Sequence, residues 1–249
     1  DAERWRFSKG NSAIAIGAIN ARTGWRLSFE QFDLQTVSDI IKLDGDYFGG
    51  VLNGEISLLN VPTQPTFSAQ LDIDKLVTLG GTLGDLKLRA IDEGARRIKM
   101  ATSLRGNGND LRLKGTLDLD APYEALDFFL DLQSVNLAAI EPLSLGYLEN
   151  MNGQLKGRLD ITGNFSQPAL LGELRFTEAA FDIQGLKDRL QLGEQPVVFD
   201  ANVIEFRDLE IRDVNGNQGV MSSYVLTSDY RNFFLQAQLN LQDFLVLNT

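Results

Sequence analysis

The 249-residue chain is 43% hydrophobic and 23% charged, which is enough apolar side chain to bury a large core and too much for a disordered segment. Its 34 acidic and 23 basic residues give a formal charge of −11 with no Lys/Arg run, arguing against nucleic acid and anionic membrane surfaces as partners. It contains no cysteine and no histidine, which removes disulfide frameworks, thiolate zinc sites, cysteine nucleophiles, and the commonest general base and transition-metal ligand.

The chain opens on DAERWRF, without Met or an apolar signal core, and ends inside a patterned stretch, so it reads as an excerpt of a longer protein. No apolar run approaches the roughly 20 residues of a membrane-spanning helix. Trp5 and Phe7, then Ile14, Ile16 and Ala18, form two short alternating runs around Lys9-Gly10-Asn11. Arg22-Thr23-Gly24 reads as a hairpin turn, and Trp25, Leu27 and Phe29 alternate with Arg26, Ser28 and Glu30, predicting a strand with one apolar face. From Leu34 to Ile41 the period changes: Leu34, Val37, Ile40 and Ile41 share a helical face, with Asp33 as N-cap, Lys42 in the last turn and Gly45 beyond.

The next stretch organises the chain. Gly50 to Ile73, GVLNGEISLLNVPTQPTFSAQLDI, recurs as Gly153 to Phe176, GQLKGRLDITGNFSQPALLGELRF, at a constant offset of 103 residues that aligns Leu52, Gly54, Pro65 and Leu71 with Leu155, Gly157, Pro168 and Leu174. Each copy is two alternating runs joined by a proline-bearing link, the pattern of paired strands with one dry face. Phe128, Leu130, Leu132, Val135 and Leu137 repeat Trp25, Leu27, Phe29, Phe32 and Leu34 at the same offset, although Pro142 ends a second helix after about one turn. Further strand runs carry Leu86, Leu88 and Ala90; Ile98 to Leu104; Leu111 to Leu119; Phe199, Ala201 and Val203; Leu209 and Ile211; and Val220, Tyr224 and Leu226. Gly80-Gly81, Gly106 to Asn109, Gly185 and Asn215-Gly216-Asn217 supply the hairpin turns. Leu239, Leu241 and Phe244 begin another unit, giving boundaries 1–24, 25–127, 128–238 and 239–249 within one continuous module.

The expected fold is all-β: a mainly antiparallel, elongated and curved sheet with at most one or two short helices. A two-sheet sandwich would also cover the dry face. Few crossover signals, and glycines inside strands at Gly54, Gly157 and Gly172, favour instead a sheet bent along its length into an open apolar trough. About 15 strands at roughly 4.8 Å each would make it some 70 Å long.

The repeated G-x-L-x-G-x-L/I motif, the Gln-Pro link, Leu83 to Leu86, Phe181 to Ile183, Phe206 to Asp213 and the closing NFFLQAQLNLQDFLVLNT resemble the TamB (translocation and assembly module) proteins of the Gram-negative envelope, within the AsmA-like group. The resemblance implies a periplasmic segment of a U-shaped β-taco that carries phospholipid between inner and outer membranes. It also implies a full-length protein anchored in the inner membrane and working with an Omp85-type outer-membrane barrel through regions outside this chain.

On this reading the lipid-lining residues are Leu52, Ile56, Leu58, Phe67, Leu71, Ile73, Leu86, Leu88, Leu104, Leu113, Leu117, Phe128, Leu130, Leu132, Leu155, Leu159, Ile161, Leu170, Leu174, Phe176, Phe199, Val203, Leu209, Ile211 and Tyr224. Acyl chains are held by area, at about 0.8 kcal/mol per buried methylene, so no catalytic group, metal or cofactor is expected. The carboxylate pairs Asp118/Asp120, Asp72/Asp74 and Asp127/Asp131 fit the wet side of strands better than an acid/base pair. Asp213 to Asn217 starts like a calcium loop but has Gln218 and Tyr224 where that loop needs Gly and Glu. Gly80 to Gly84 lacks the following Lys-Ser/Thr of a phosphate cradle, and Asn164-Phe165-Ser166 is a chance-level glycosylation triplet.

The expected function is therefore a non-enzymatic lipid conduit. The alternatives are a closed-core β scaffold that assists outer-membrane protein assembly and, further off, a polysaccharide-active β-helix. Leu159→Asp or Leu174→Asp is expected to block lipid passage while leaving the sheet folded.

Overall fold

The computed structural model describes residues 4–20, 24–36, 48–60, 65–78, 81–94, 96–144, 146–185 and 189–242. The protein is all-β: the described residues form sixteen strands, paired antiparallel, with one short α-helix and one 3₁₀ turn. The chain divides into two compact units, 1–107 with 112–125, and 108–111 with 126–249.

In the first unit, β1 (Arg4–Lys9), β2 (Ser12–Asn20), β3 (Gly24–Asp33), β4 (Phe48–Leu59), β5 (Thr66–Thr78), β6 (Gly81–Asp92) and β7 (Arg97–Gly106) pair in chain order as a meander. Strand β8 (Asn109–Asp118) follows, and Asp118 N donates to Ala125 O as that strand ends. The second unit holds β9 (Leu126–Asn136), β10 (Leu148–Gly163), β11 (Pro168–Ile183), β12 (Arg189–Leu192), β13 (Pro196–Ala201), β14 (Val203–Arg212), β15 (Gln218–Leu226) and β16 (Phe234–Leu241). Strands β12 and β13 occupy one place in the order, pairing with the two halves of β11 on one side and with β14 on the other. Gly193 to Gln195 interrupts that place. There Gly193 N donates to Glu210 O and the Gln195 side-chain oxygen accepts from Glu210 N, so the break leaves both groups satisfied.

The sequence repeat is a repeat of pairing. Leu27 faces Ile56 as Leu130 faces Leu159; Phe29 and Leu71 flank Gly54 as Leu132 and Leu174 flank Gly157. Phe32 faces Leu52 as Val135 faces Leu155, after an irregularity in the ladder at the same place. The shared glycine has a physical reason: φ is +134° at Gly54 and +145° at Gly157, and a Cβ would come within 2.0 Å of Gln70 O and 2.1 Å of Glu173 O. Any side chain there collides with the carbonyl of the neighbouring strand.

The helix signals behave alike at the start. Asp33 accepts from Gln35 N, and Asn136, 103 residues on, accepts from Ala138 N at the head of α1 (Leu137–Ile140). Helix α1 is a single turn, followed at Pro142 by the 3₁₀ turn Glu141–Ser144, as the proline requires. Glu141 ties that turn to β10 by accepting from Met151 N at 2.8 Å. The rest of the first expected helix, Val37 to Gly45, lies outside the described residues, as do Arg22-Thr23, Gly80 and Phe244.

Candidate functional site

The register fixes the apolar face of each unit row by row, because directly opposed residues share a face. In the first unit one row runs Trp5, Ile16, Leu27, Ile56, Ala69, Ala90, Met100; the next runs Phe7, Ile14, Phe29, Gly54, Leu71, Leu88, Thr102. Flanking rows join Phe32, Leu52, Ile73, Leu86 and Leu104, and Ala18, Trp25, Leu58 and Phe67. In the second unit one row runs Leu130, Leu159, Gly172, Phe199, Ile204, Val225, Leu235; its neighbour runs Leu132, Gly157, Leu174, Val197, Phe206, Ser223, Ala237. Phe128, Ile161 and Leu170 share a third row, Val135, Leu155 and Phe176 a fourth, and Leu209 and Ile211 face Met221 and Gly219.

Both faces open at one end and differ at the repeat itself: the second unit is open at its last strand, where Leu235 is 63% exposed and Leu239 52%, but closed around β9–β11. Leu132, Val135, Leu159 and Leu174 form a buried cluster, with Leu159 only 3% exposed. Leu111, Leu130, Ile140, Leu155, Leu170 and Phe199 pack around it, so α1 contributes to its cover. In the first unit the same face stays open at its first strands: Trp5 is 61% exposed, Trp25 50%, and Phe7, Ile16 and Leu58 are exposed with them. A contiguous exposed patch of that size marks a binding surface more often than a structural one.

The opposite face of each unit is wet. Cross-strand ion pairs Arg6–Glu30, Arg26–Glu55, Arg89–Asp72, Arg158–Asp131 and Arg189–Asp182 cover it, with Arg207–Glu205 and Arg212–Glu210 along β14. Such exposed pairs add little stability and keep that face hydrated.

Two expected lining residues stand on this wet face. Val203 faces Asp200, because β13 ends at Ala201 with φ +52° and the chain turns at Asn202, so the run Phe199-Ala201-Val203 is a hairpin rather than one strand. Tyr224 faces Glu205 on one side and Gln236 on the other, and its hydroxyl is bonded to the Gln236 side-chain oxygen. The apolar run Val220, Tyr224 and Leu226 is the wet side of β15, while Gly219, Met221, Ser223 and Val225 face the dry rows. Leu113 and Leu117 are half-buried on β8. Missing from the expected lining are Ile204, Phe206 and Val197, and the open residues Trp5, Phe7, Ile16 and Trp25. The alternation of Trp5, Phe7, Ile16 and Trp25 is visible in the sequence, and the register places them on the same face as Leu27 and Phe29.

Each acidic pair has at least one member engaged in an ion pair. The Asp120 amide, with the Arg97 guanidinium, holds the Asp118 carboxyl below the usual aspartate range, the reverse of what a general acid needs. Asp72 is paired with Arg89 and Asp131 with Arg158. Asp213 is buried and closes its own turn, accepting from Asn215 N, Asn217 N and the Asn217 side-chain amide at 2.9 Å each. Asn164 likewise accepts from Ser166 N and Gln167 N. Among the described residues no group of three His, Cys, Asp or Glu side chains is placed to hold a metal. No helix among them is long and apolar enough to cross a membrane.

Comparison with known proteins adds no relative. No family model, curated protein or solved structure matches the chain. The functional reading rests on the two faces themselves.

Proposed function

We propose that the apolar face binds extended acyl chains, and that the chain is a periplasmic, lipid-conducting segment of a TamB-like envelope protein serving outer-membrane biogenesis. The observation that carries this is the in-register assembly of the apolar rows on one face in both copies of the repeat, left open to solvent from Trp5 to Leu58. Many similar aliphatic contacts hold a chain by area and let it slide, since no single site is much deeper than the next. The resemblance of the repeated motifs to TamB proteins supports the same reading, with an Omp85-type barrel engaged by other parts of the protein. The site acts by burial alone, without covalent chemistry.

A closed-core scaffold is the second reading, favoured by the burial of Leu132, Leu159 and Leu174. That burial also corrects an expectation. A carboxylate at Leu159 or Leu174 would be desolvated inside the cluster, so Leu159→Asp and Leu174→Asp disrupt the second unit rather than testing ligand contact. Trp25 and Leu58 are the suitable positions. Native mass spectrometry of the purified chain should show co-purified phospholipid, reduced by Trp25→Asp and by Leu58→Asp with the strand content retained. Unchanged occupancy in both variants, or no lipid on the parent chain, favours the scaffold.

A further inference from the structure

One row of the wet face in the second unit is not wet. Phe129 faces Asp160, Asp160 faces Leu171, Leu171 faces Asp200, Asp200 faces Val203, Val203 faces Leu226 and Leu226 faces Phe234. Five apolar side chains thus line up across the sheet on the side opposite the acyl-chain face. Leu171 and Leu226 are each 41% exposed and Phe234 is 64% exposed. Between Phe129 and Leu171 lies a shallow depression of about 550 Å³, whose charged lining is Asp131, Lys156, Arg158, Asp160, Glu173 and Arg175.

The repeat supplies the control. The positions equivalent to Phe129, Asp160 and Leu171 in the first copy are Arg26, Ser57 and Ser68, which face one another in the same order. There Arg26 donates to Ser57 Oγ and pairs with Glu55, and Ser57 itself is buried. The fold is satisfied by polar residues in this row, so packing within the sheet does not call for Leu171.

We infer that this row is a docking strip for a cationic amphipathic helix of a protein partner. The charges argue for that occupant. Asp160 and Asp200 stand within the apolar row and form no ion pair among the described residues. The adjoining row carries Asp131, Glu173 and Glu205, whose partners are Arg158, Arg175 and Arg207 of the same face. An apolar strip with two unpaired carboxylates is complementary to Lys or Arg flanking an apolar stripe, and it repels an anionic lipid surface. The lengths agree. Six inter-strand steps from β9 to β16 span about 29 Å at ~4.8 Å each, the length of a helix of about 19 residues at 1.5 Å per residue. Asp160 and Asp200 lie two strands apart, about 10 Å, which matches basic residues separated by two helical turns.

The test uses the whole chain and two fluorescein-labelled helices of about 19 residues: one of Leu and Lys, the other its Leu/Glu counterpart. The Lys peptide should bind and the Glu peptide should not. Leu171→Ser combined with Leu226→Ser should weaken binding about tenfold or more, as loss of central apolar anchors does. Asp160→Asn combined with Asp200→Asn should remove most of the salt dependence, and Ser68→Ala should change nothing. Leu171, Leu226, Asp160 and Asp200 are exposed and Ser68 is half-buried with a small side chain, so circular dichroism should remain that of the parent. Equal binding of both peptides, no binding of the Lys peptide at millimolar concentration, or full binding by the Leu171/Leu226 variant overturns the proposal. Binding of phosphatidylcholine vesicles that the same variant abolishes also overturns it, in favour of a membrane.

Discussion

Equivalent positions of the two copies meet different surroundings. Trp25 is half exposed while Phe128, its counterpart 103 residues on, is buried; Ile56 is half-buried while its counterpart Leu159 is almost wholly enclosed. The pairing is the same in both, so register alone does not close the apolar face. In the second unit closure comes from what lies beside the repeat: Ile140 on α1 and Leu111 at the start of β8 pack on the cluster around Leu159. The repeat decides which side is dry, and its neighbours decide whether that side is a core or a surface.

The largest effect should fall on what the copies share. Gly54→Val and Gly157→Val each force a Cβ onto a neighbouring carbonyl at positive φ, at a cost of about 3 kcal/mol or more. Hydrogen exchange should show β3–β5 opening in the first variant and β9–β11 in the second. Effects confined to the substituted residue would break the claim that the glycine is a shared structural device.

The next contrast separates core from surface. Leu159→Asp should lower stability by about 4 kcal/mol, whereas Leu58→Asp, on the open face, should stay within about 1 kcal/mol. Urea unfolding reads both, and similar losses would mean the first unit is as closed as the second. A smaller effect is expected at Tyr230, whose hydroxyl donates to Ala201 O at 2.6 Å and ties the β15–β16 link to the β13–β14 turn. Tyr230→Phe should cost about 1 kcal/mol.

The smallest effects are electrostatic. Asp118 in the first unit and Asp229 in the second are both held below the ordinary aspartate range, Asp118 by the Asp120 amide and Arg97, Asp229 by the amides of Asn232 and Arg231. A depressed carboxyl stabilises the fold above its unfolded pKa of about 4 and loses that contribution as pH falls through its folded value. Asp118→Asn and Asp229→Asn should each reduce the fall in thermal midpoint between neutral pH and about pH 3. An unchanged fall would remove these turns from the acid response.

Much of this was legible because a period of two, repeated without a gap, fixes parity: Leu52 to Leu104 and Phe128 to Phe176 fall on the expected face. Parity failed where the chain reverses or bulges without announcing it. Ala201 and Asn202 look like strand residues yet form a turn, which puts Val203 on the other side. In β14 the extra residue at Arg207-Asp208, with φ +49° at Asp208, restores Leu209 and Ile211 to the dry face. In β15 the more apolar side is the wet one, so hydrophobicity pointed the wrong way for Tyr224. Val203 belongs to the apolar row on the wet side of the second unit, and Tyr224 stands in the row beside it. Closure was not legible at all, since it depends on Leu111 and Ile140, whose contacts across the fold carry no local signal.

The most direct measurement of the central claim places a photo-crosslinking phenylalanine at Trp25 or at Arg26, adjacent in sequence and on opposite faces, in a chain expressed in a Gram-negative periplasm. Phospholipid adducts at position 25 and none at 26 are the result expected of an acyl-chain face. Equal labelling at both, or adducts at neither, would contradict it.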